Sequence, residues 1–360
     1  MPSVVPDEST VNRERGRSLI VKVLYAEQQA NQKSISNFTG ALMGLQAGDA
    51  LGMPAQGWMR HDIKEQFGVL SSMKRGMLVK GDHTDDTEMA FSVAEALWKT
   101  KSFNGSIIAK TMVDNYSSKR GYERCAVKSF ELIAADFGWM ESGQSSFYAN
   151  KSYGNSSAAR SVPLALIYSN NMNDLLRYSI MLARITHVHP LALEGTKLFA
   201  CAIGFIMRQV DAGQSVEPES LIDFLEMKSE ESEYKDKLRL IRKFLRSKPE
   251  VGEVAEFLGS SYEAINSIPT ALYAFLAHLD SFKKAVIYAV NLGGVTDSLG
   301  SLTGALAGAY HGEENIPDSW KRCLRDKGKA ARIHGKRMYK LWSSQQMLSN
   351  GTMSRKLSRM

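Results

Sequence analysis

Apolar residues recur at helical spacing along most of this 360-residue chain. Period-3.6 or continuous apolar patterning predicts helices over Asn37–Leu51, Glu88–Lys99, Ile107–Asn115, Ala126–Phe137, Ala158–Tyr168 and Leu175–Ala183. The same reading gives Leu191–Val210, Glu233–Arg246, Tyr262–Leu279, Phe282–Leu292 and Asp297–Ala309. No alternating β run stands out, and glycine, serine, asparagine and proline fall between the periodic segments, as caps and turns should. The expectation is an all-α domain over residues 37–339. A short extension over residues 1–36, with an added helix at Asn12–Gln32, precedes it. Residues 340–360 read as a basic, Ser-rich, disordered tail, and the charged stretch Gln214–Pro249 as an exposed helical excursion.

Two of these helices carry a glycine at every fourth position: Gly40, Gly44, Gly48 and Gly52, and then Gly300, Gly304, Gly308 and Gly312. Each helix so acquires a face without side chains. Glycine costs about 1 kcal/mol per helical position relative to alanine, so four in a row imply that another backbone approaches closely. Both helices are expected at the centre of the bundle, against each other.

Composition narrows the class. An apolar fraction of 44% supports a sizeable core. Cys125, Cys201 and Cys323 lie far apart and form no CxxC, which argues against a zinc site or disulfide framework and for a reducing compartment. The N-terminus lacks the apolar core of a secretory signal, and no apolar run is read as long enough to span a bilayer. A cytoplasmic location is expected, with a nuclear one as the alternative. The net charge of +7 is unevenly spread. Residues 321–360 carry 12 Lys and Arg against one acid, whereas the other 320 residues carry 33 basic and 37 acidic groups. A basic tail of this kind is a solvated helix or terminus, or a contact for an acidic partner or nucleic acid.

Candidate chemistry gathers in a few segments. Thr84-Asp85-Asp86-Thr87 stands where a loop should become a helix. A helix start explains one or two of these residues, through an N-cap and first-turn acids. Two adjacent carboxylates between two threonines exceed that need, and their repulsion favours a cation. Thr296-Asp297-Ser298, after Gly293-Gly294-Val295, opens the second glycine-striped helix in the same way. Carboxylate and hydroxyl oxygens suit Mg²⁺, Mn²⁺ or Ca²⁺. Ser152-Tyr153-Gly154-Asn155-Ser156-Ser157 is a small-residue loop whose amides favour phosphate, or else a flexible turn with an N-cap serine. In Thr186-His187-Val188-His189-Pro190 a capping or substrate-contact role for His187 is favoured over zinc, and Pro190 suits a first helical position. Gln56 follows Gly48-Asp49-Ala50-Leu51-Gly52-Met53-Pro54; its amide can hold a substrate or water but cannot exchange a proton near neutral pH.

Together these segments resemble the ADP-ribosylglycohydrolase family, which includes the dinitrogenase-reductase-activating glycohydrolases. The resembling stretches are Gly40–Gln56, Gly81–Leu97, Ser152–Leu166, Ile185–Gly195, Ser267–Leu276 and Asn291–Gly312, six in the family's order. The resemblance implies an all-α orthogonal multi-helix bundle with a binuclear Mg²⁺ centre, Mn²⁺ being an alternative. It implies binding of ADP-ribose or an ADP-ribosylated protein and hydrolysis of the bond between its distal ribose and an acceptor. A monomer with no membrane contact is expected. Residue by residue, it implies metal ligation by Thr84, Asp85 and Asp86 and by Asp297 and Ser298. It implies phosphate and ribose contacts from Gly154, Asn155, Ser156 and Ser157, and a ligand contact from His187. Asp85 and Asp86 are the expected proton-handling groups. Two departures touch the same chemistry: Gln56 stands where the family commonly has glutamate, and Val295 where its GGDTD pattern has a carboxylate. The expected outcome is one metal site emptied or loosened, and either a working hydrolase or a catalytically inactive descendant that binds ADP-ribose, regulates or acts structurally.

Overall fold

The computed structural model describes residues 35–145 and 152–357, so the helix expected at residues 12–32 lies outside it. Residues 35–52 form α1, and Met53–Ala55 add a 3₁₀ turn. Next come α2 (Arg60–Phe67), α3 (Asp85–Thr100), α4 (Gly105–Asp114), α5 (Arg124–Ala134), α6 (Trp139–Ser145) and α7 (Ser156–Ala159). They are followed by α8 (Val162–Ile167), α9 (Met172–Ala183), α10 (Pro190–Asp211), α11 (Pro218–Lys228), α12 (Ser232–Ser247) and α13 (Val251–Phe257). The last are α14 (Ala264–Ala277), α15 (Phe282–Val290), α16 (Thr296–His311), α17 (Asp318–Cys323) and α18 (Lys329–Leu357). Among the described residues there is no strand, and one isolated bridge joins Gly154 to Glu263. The fold is all-α, as the periodicity predicts.

The glycine stripes do meet. A Cβ on Gly40, Gly44 or Gly48 would collide with the carbonyl of Gly308, Gly304 or Gly300, and one on Gly52 with the carbonyl of Thr296. Helices α1 and α16 therefore run antiparallel with their backbones in contact. Residues 37–55 are buried throughout, and so is α16 from Thr296 to Ala309. Helices α10, α14 and α15 pack around α16. The antiparallel sense brings the C-terminal end of α1 to the N-terminal end of α16, where the Thr296 hydroxyl donates to the Gly52 carbonyl at 2.7 Å. The candidate site sits at that end.

Several expectations need correction. Helix α10 is long and apolar enough to cross a membrane on length and composition, contrary to the reading that no run is. Its apolar window is 83% buried within the bundle, so its hydropathy reflects a core position. The segment Ala158–Tyr168 is two helices, broken at Arg160-Ser161 ahead of Pro163. Helices α2 and α13 escaped notice because each buries one apolar side chain, Ile63 and Val254, too few to show a period. The charged excursion is less exposed than expected: α11 buries Leu221, Ile222 and Leu225, and Arg242 of α12 ion-pairs with Glu219, Asp223 and Glu226. Residues 340–357, expected as a disordered tail, continue α18. Buried Ala331, Met338 and Leu341 recur on one face of that helix among its lysines and arginines, and the density of charge hid their spacing.

Candidate functional site

The first turn of α3 is capped from another helix. Asp49 of α1 is fully buried and accepts from the Thr84 amide at 2.9 and 3.1 Å, the Thr87 amide at 3.2 Å and the Thr87 hydroxyl at 2.6 Å. Thr84 occupies the N-cap position, but its hydroxyl does not cap; that oxygen is buried without any hydrogen-bond partner. Asp85 receives no hydrogen bond from the described residues, although it is 8% exposed. Asp86 accepts from the Ser301 hydroxyl of α16 at 2.9 Å and from Ser298. At the start of α16, Asp297 accepts from the Ser298 amide at 2.7 Å. The two acidic segments thus converge, and Asp49 joins them as a residue the sequence reading quoted without a role.

Electrostatics describe a strained group of acids. Burial, then the charges of Asp86, Asp297, Glu123 and Asp49, push the Asp85 carboxyl well above the usual range. Burial and Asp49 raise Asp86 to about 7, against the hydrogen bonds from Ser301 and Ser298. Asp297 is raised well above its ordinary value by burial and then by Asp86 and Asp49. Among the described residues no Lys or Arg forms an ion pair with any of these carboxyls. Asp82 and His83, nearby in sequence, serve a different network: Asp82 pairs with Arg120 at 3.1 Å and Arg325 at 2.8 Å, and His83 with Glu88 at 3.3 Å. The hard oxygen donors, with one of them orphaned in the interior, fit a divalent cation of the Mg²⁺ type.

The two departures are neighbours in space. The Gly57 amide donates to the Gly294 carbonyl and the Gly294 amide to the Trp58 carbonyl, both at 2.8 Å. Gly293 and Gly294 take φ of 86° and 75°, a left-handed pair that only glycine adopts freely. These contacts seat Gln56 and Val295 on one rim of the site, Gln56 exposed and Val295 9% exposed.

On another side lies the loop before α7. Asn155 donates to the Ser267 hydroxyl at 2.8 Å and Ser157 shares a 2.6 Å hydrogen bond with Thr196, so both side chains are engaged by the bundle. The Ser156 hydroxyl is buried without a partner, while its amide donates to Glu123 Oε1 at 3.3 Å. A Cβ on Gly154 would overlap the Glu123 carboxylate. Glu123, at the N-cap of α5, was missed in the sequence because nothing in Arg120-Gly121-Tyr122-Glu123 marks it as chemical.

His187 is fully buried and holds Glu123 in place. Its Nε2 lies 3.2 Å from Glu123 Oε2, and its Nδ1 lies 2.6 Å from the Thr186 hydroxyl. Buried Arg160 donates to that hydroxyl at 2.7 Å, so the hydroxyl proton is free to go to Nδ1 and Nε2 carries the hydrogen given to Glu123. The Cys125 thiol also donates to Glu123 Oε2, at 3.4 Å. Ligand atoms of Glu123, Cys125 and His187 lie within 4.8 Å of one another. Burial, then Glu123, raises the Cys125 thiol above its ordinary range, which leaves it protonated and a poor metal ligand. His189 caps α10 with its own ring, and Pro190 takes the first helical position as expected.

Comparison with known proteins agrees with this architecture. The family profile described as ADP-ribosylglycohydrolase matches residues 30–347. The chain belongs to the ADP-ribosylglycohydrolase family. Relatives within it include the ADP-ribosylhydrolase ARH3 of Xenopus tropicalis, 30% identical over 317 residues, covering 80% of this chain and 90% of that one. The human ADP-ribosylhydrolase ARH3 is 27% identical over 327 residues, covering 81% and 89%. The ADP-ribosyl-[dinitrogen reductase] glycohydrolase of Rhodospirillum rubrum is 28% identical over 295 residues, covering 78% and 87%. A solved structure titled "ADP-ribosylglycohydrolase-related protein complex" superposes with a TM-score of 0.66 at 27% identity, covering 86% of this chain and 99% of that one.

Proposed function

We propose that this ADP-ribosylglycohydrolase-family chain is an ADP-ribosyl-acceptor hydrolase that works with one divalent cation, Mg²⁺ by preference. The observation that carries the reading is the orphaned Thr84 oxygen set among Asp85, Asp86 and Asp297, carboxyls that no Lys or Arg among the described residues ion-pairs directly. Thr84, Asp85, Asp86, Asp297 and Ser298 would hold the ion. When bound it would supply charge neutralisation and a lowered pKa for water. Asp86, tied by Ser301, is the fixed oxygen donor. Asp85, without hydrogen bonds, is free to accept the proton that Gln56 cannot take. The loop at Gly154–Ser157 faces the ligand with the Ser156 hydroxyl unused.

A second reading is a binding protein without turnover. It is favoured by the Gln56–Val295 rim, where two expected carboxylates are missing side by side. One assay separates the two. Full-length protein is mixed with an ADP-ribosylated substrate and Mg²⁺, released ADP-ribose is measured, and the double variant Gln56→Glu, Val295→Asp is run beside it. The hydrolase reading expects Mg²⁺-dependent release, with the double variant faster by roughly 10²–10⁴-fold. Calorimetric ADP-ribose binding without release would establish the second reading. Absence of both binding and release, in wild type and variant alike, would remove both.

A further inference from the structure

The Glu123 carboxylate packs directly against the Gly154–Ser157 loop. Its Oε1 takes the Ser156 amide at 3.3 Å, and its two oxygens fill the space a side chain at position 154 would need. The carboxylate is built in rather than trailing from the surface: His187, Cys125 and Ser156 each donate to it, and His187 is locked from behind by Thr186 and Arg160. Burial alone would raise the Glu123 carboxyl, but His187 and the three hydrogen bonds hold it below the usual range, so it is ionised at neutral pH. Beside it the Ser156 hydroxyl is buried and unpartnered, the mark of a polar position awaiting a ligand. Tyr262 and Asp85 both feel the Glu123 charge.

The geometry points to Glu123 as a specificity-determining residue that discriminates against an anionic group on this loop, so that ADP-ribose binds only against its charge while the same nucleoside without phosphate does not. The inference rests on the ADP-ribosyl reading of the site. An incoming diphosphate meets a fixed negative charge at hydrogen-bonding range and competes for the Ser156 amide. In a partly desolvated pocket, like charges a few ångströms apart repel strongly. A carboxylate this firmly held does not swing aside at no cost.

The test is calorimetry on the full chain in Mg²⁺ with three probes, ADP-ribose, inorganic pyrophosphate and adenosine, on wild type and Glu123→Gln. Neutralising Glu123 is expected to tighten ADP-ribose and pyrophosphate at least about tenfold and to leave adenosine within about twofold. A merely structural role would move all three probes together. Equal ADP-ribose affinity in both proteins, or weaker affinity in a variant that melts normally, overturns the inference; the weaker result would make Glu123 a favourable contributor, as a cation ligand is. Pyrophosphate that tightens while ADP-ribose binds neither protein supports the Glu123 inference and removes the ADP-ribosyl reading. Silence from all anionic probes in the variant removes both. If Glu123→Gln does not fold, Glu123→Ala is read by the same criteria.

Discussion

Along the α1–α16 seam, glycine faces glycine and each carbonyl rests on the opposite backbone; at the end of that seam, four aspartates are pressed together with an orphaned hydroxyl. The same two helices build both regions. In the seam, backbone packs directly on backbone and the close approach offsets the helical cost of glycine. In the cluster, the carboxyls repel and the polar group lacks a partner, so this end of the pair costs stability until something positive arrives. The rigid region holds the strained one in shape. Without the seam, Asp49 could not cap α3 and Ser301 could not reach Asp86, because the registry of α1 against α16 sets both.

The contrast can be broken most severely at the seam. Gly304→Val places a side chain against the Gly44 carbonyl, where backbone rather than a movable side chain must yield. The expected cost exceeds the ~1–3 kcal/mol of an ordinary overpacked site, and circular dichroism should find little cooperative unfolding. A variant that melts within a few degrees of wild type would show that the helices are not so closely fixed.

At the cluster the sign reverses. Asp85→Asn removes one of the repelling charges, so the metal-free protein should melt at a higher temperature than wild type. The same variant should lose the stabilisation that Mg²⁺ gives wild type, about 2.7 kcal/mol at a hundred times Kd. Thermal melts with and without Mg²⁺ check both halves; a variant destabilised without metal would mean that Asp85 makes a favourable contact within the fold.

The smallest expected effect is a slope with pH. Asp86 rises from its ordinary 3.8 to about 7, and Asp85 and Asp297 are also raised. Between these limits the folded chain keeps protons that the unfolded chain releases. Stability of the metal-free protein should therefore fall as pH rises from about 5 to 7, by less than about 1.4 kcal/mol per unit for one such proton. Groups held below their ordinary values, such as Asp82 and Glu123, lose their stabilising contribution only at lower pH. Mg²⁺ should flatten the slope, and urea titrations across that range would detect it.

Sequence periodicity was enough for the long helices because each buries a wide apolar face, and the four-residue glycine spacing was enough to pair α1 with α16, since only backbone contact justifies it. The acidic segments at Thr84–Asp86 and Asp297–Ser298 were legible for a related reason: their charge exceeds what helix capping needs. The short helices and the basic α18 were not legible, because too few buried positions or too many charges blurred their period. Tertiary structure alone decided that Asp49 caps a helix it does not belong to, that Gln56 and Val295 share one rim, and that Glu123 lies on the loop before α7. Each of these depends on where distant backbones cross, and a carboxylate's chemistry is set by what crosses beside it rather than by its neighbours along the chain.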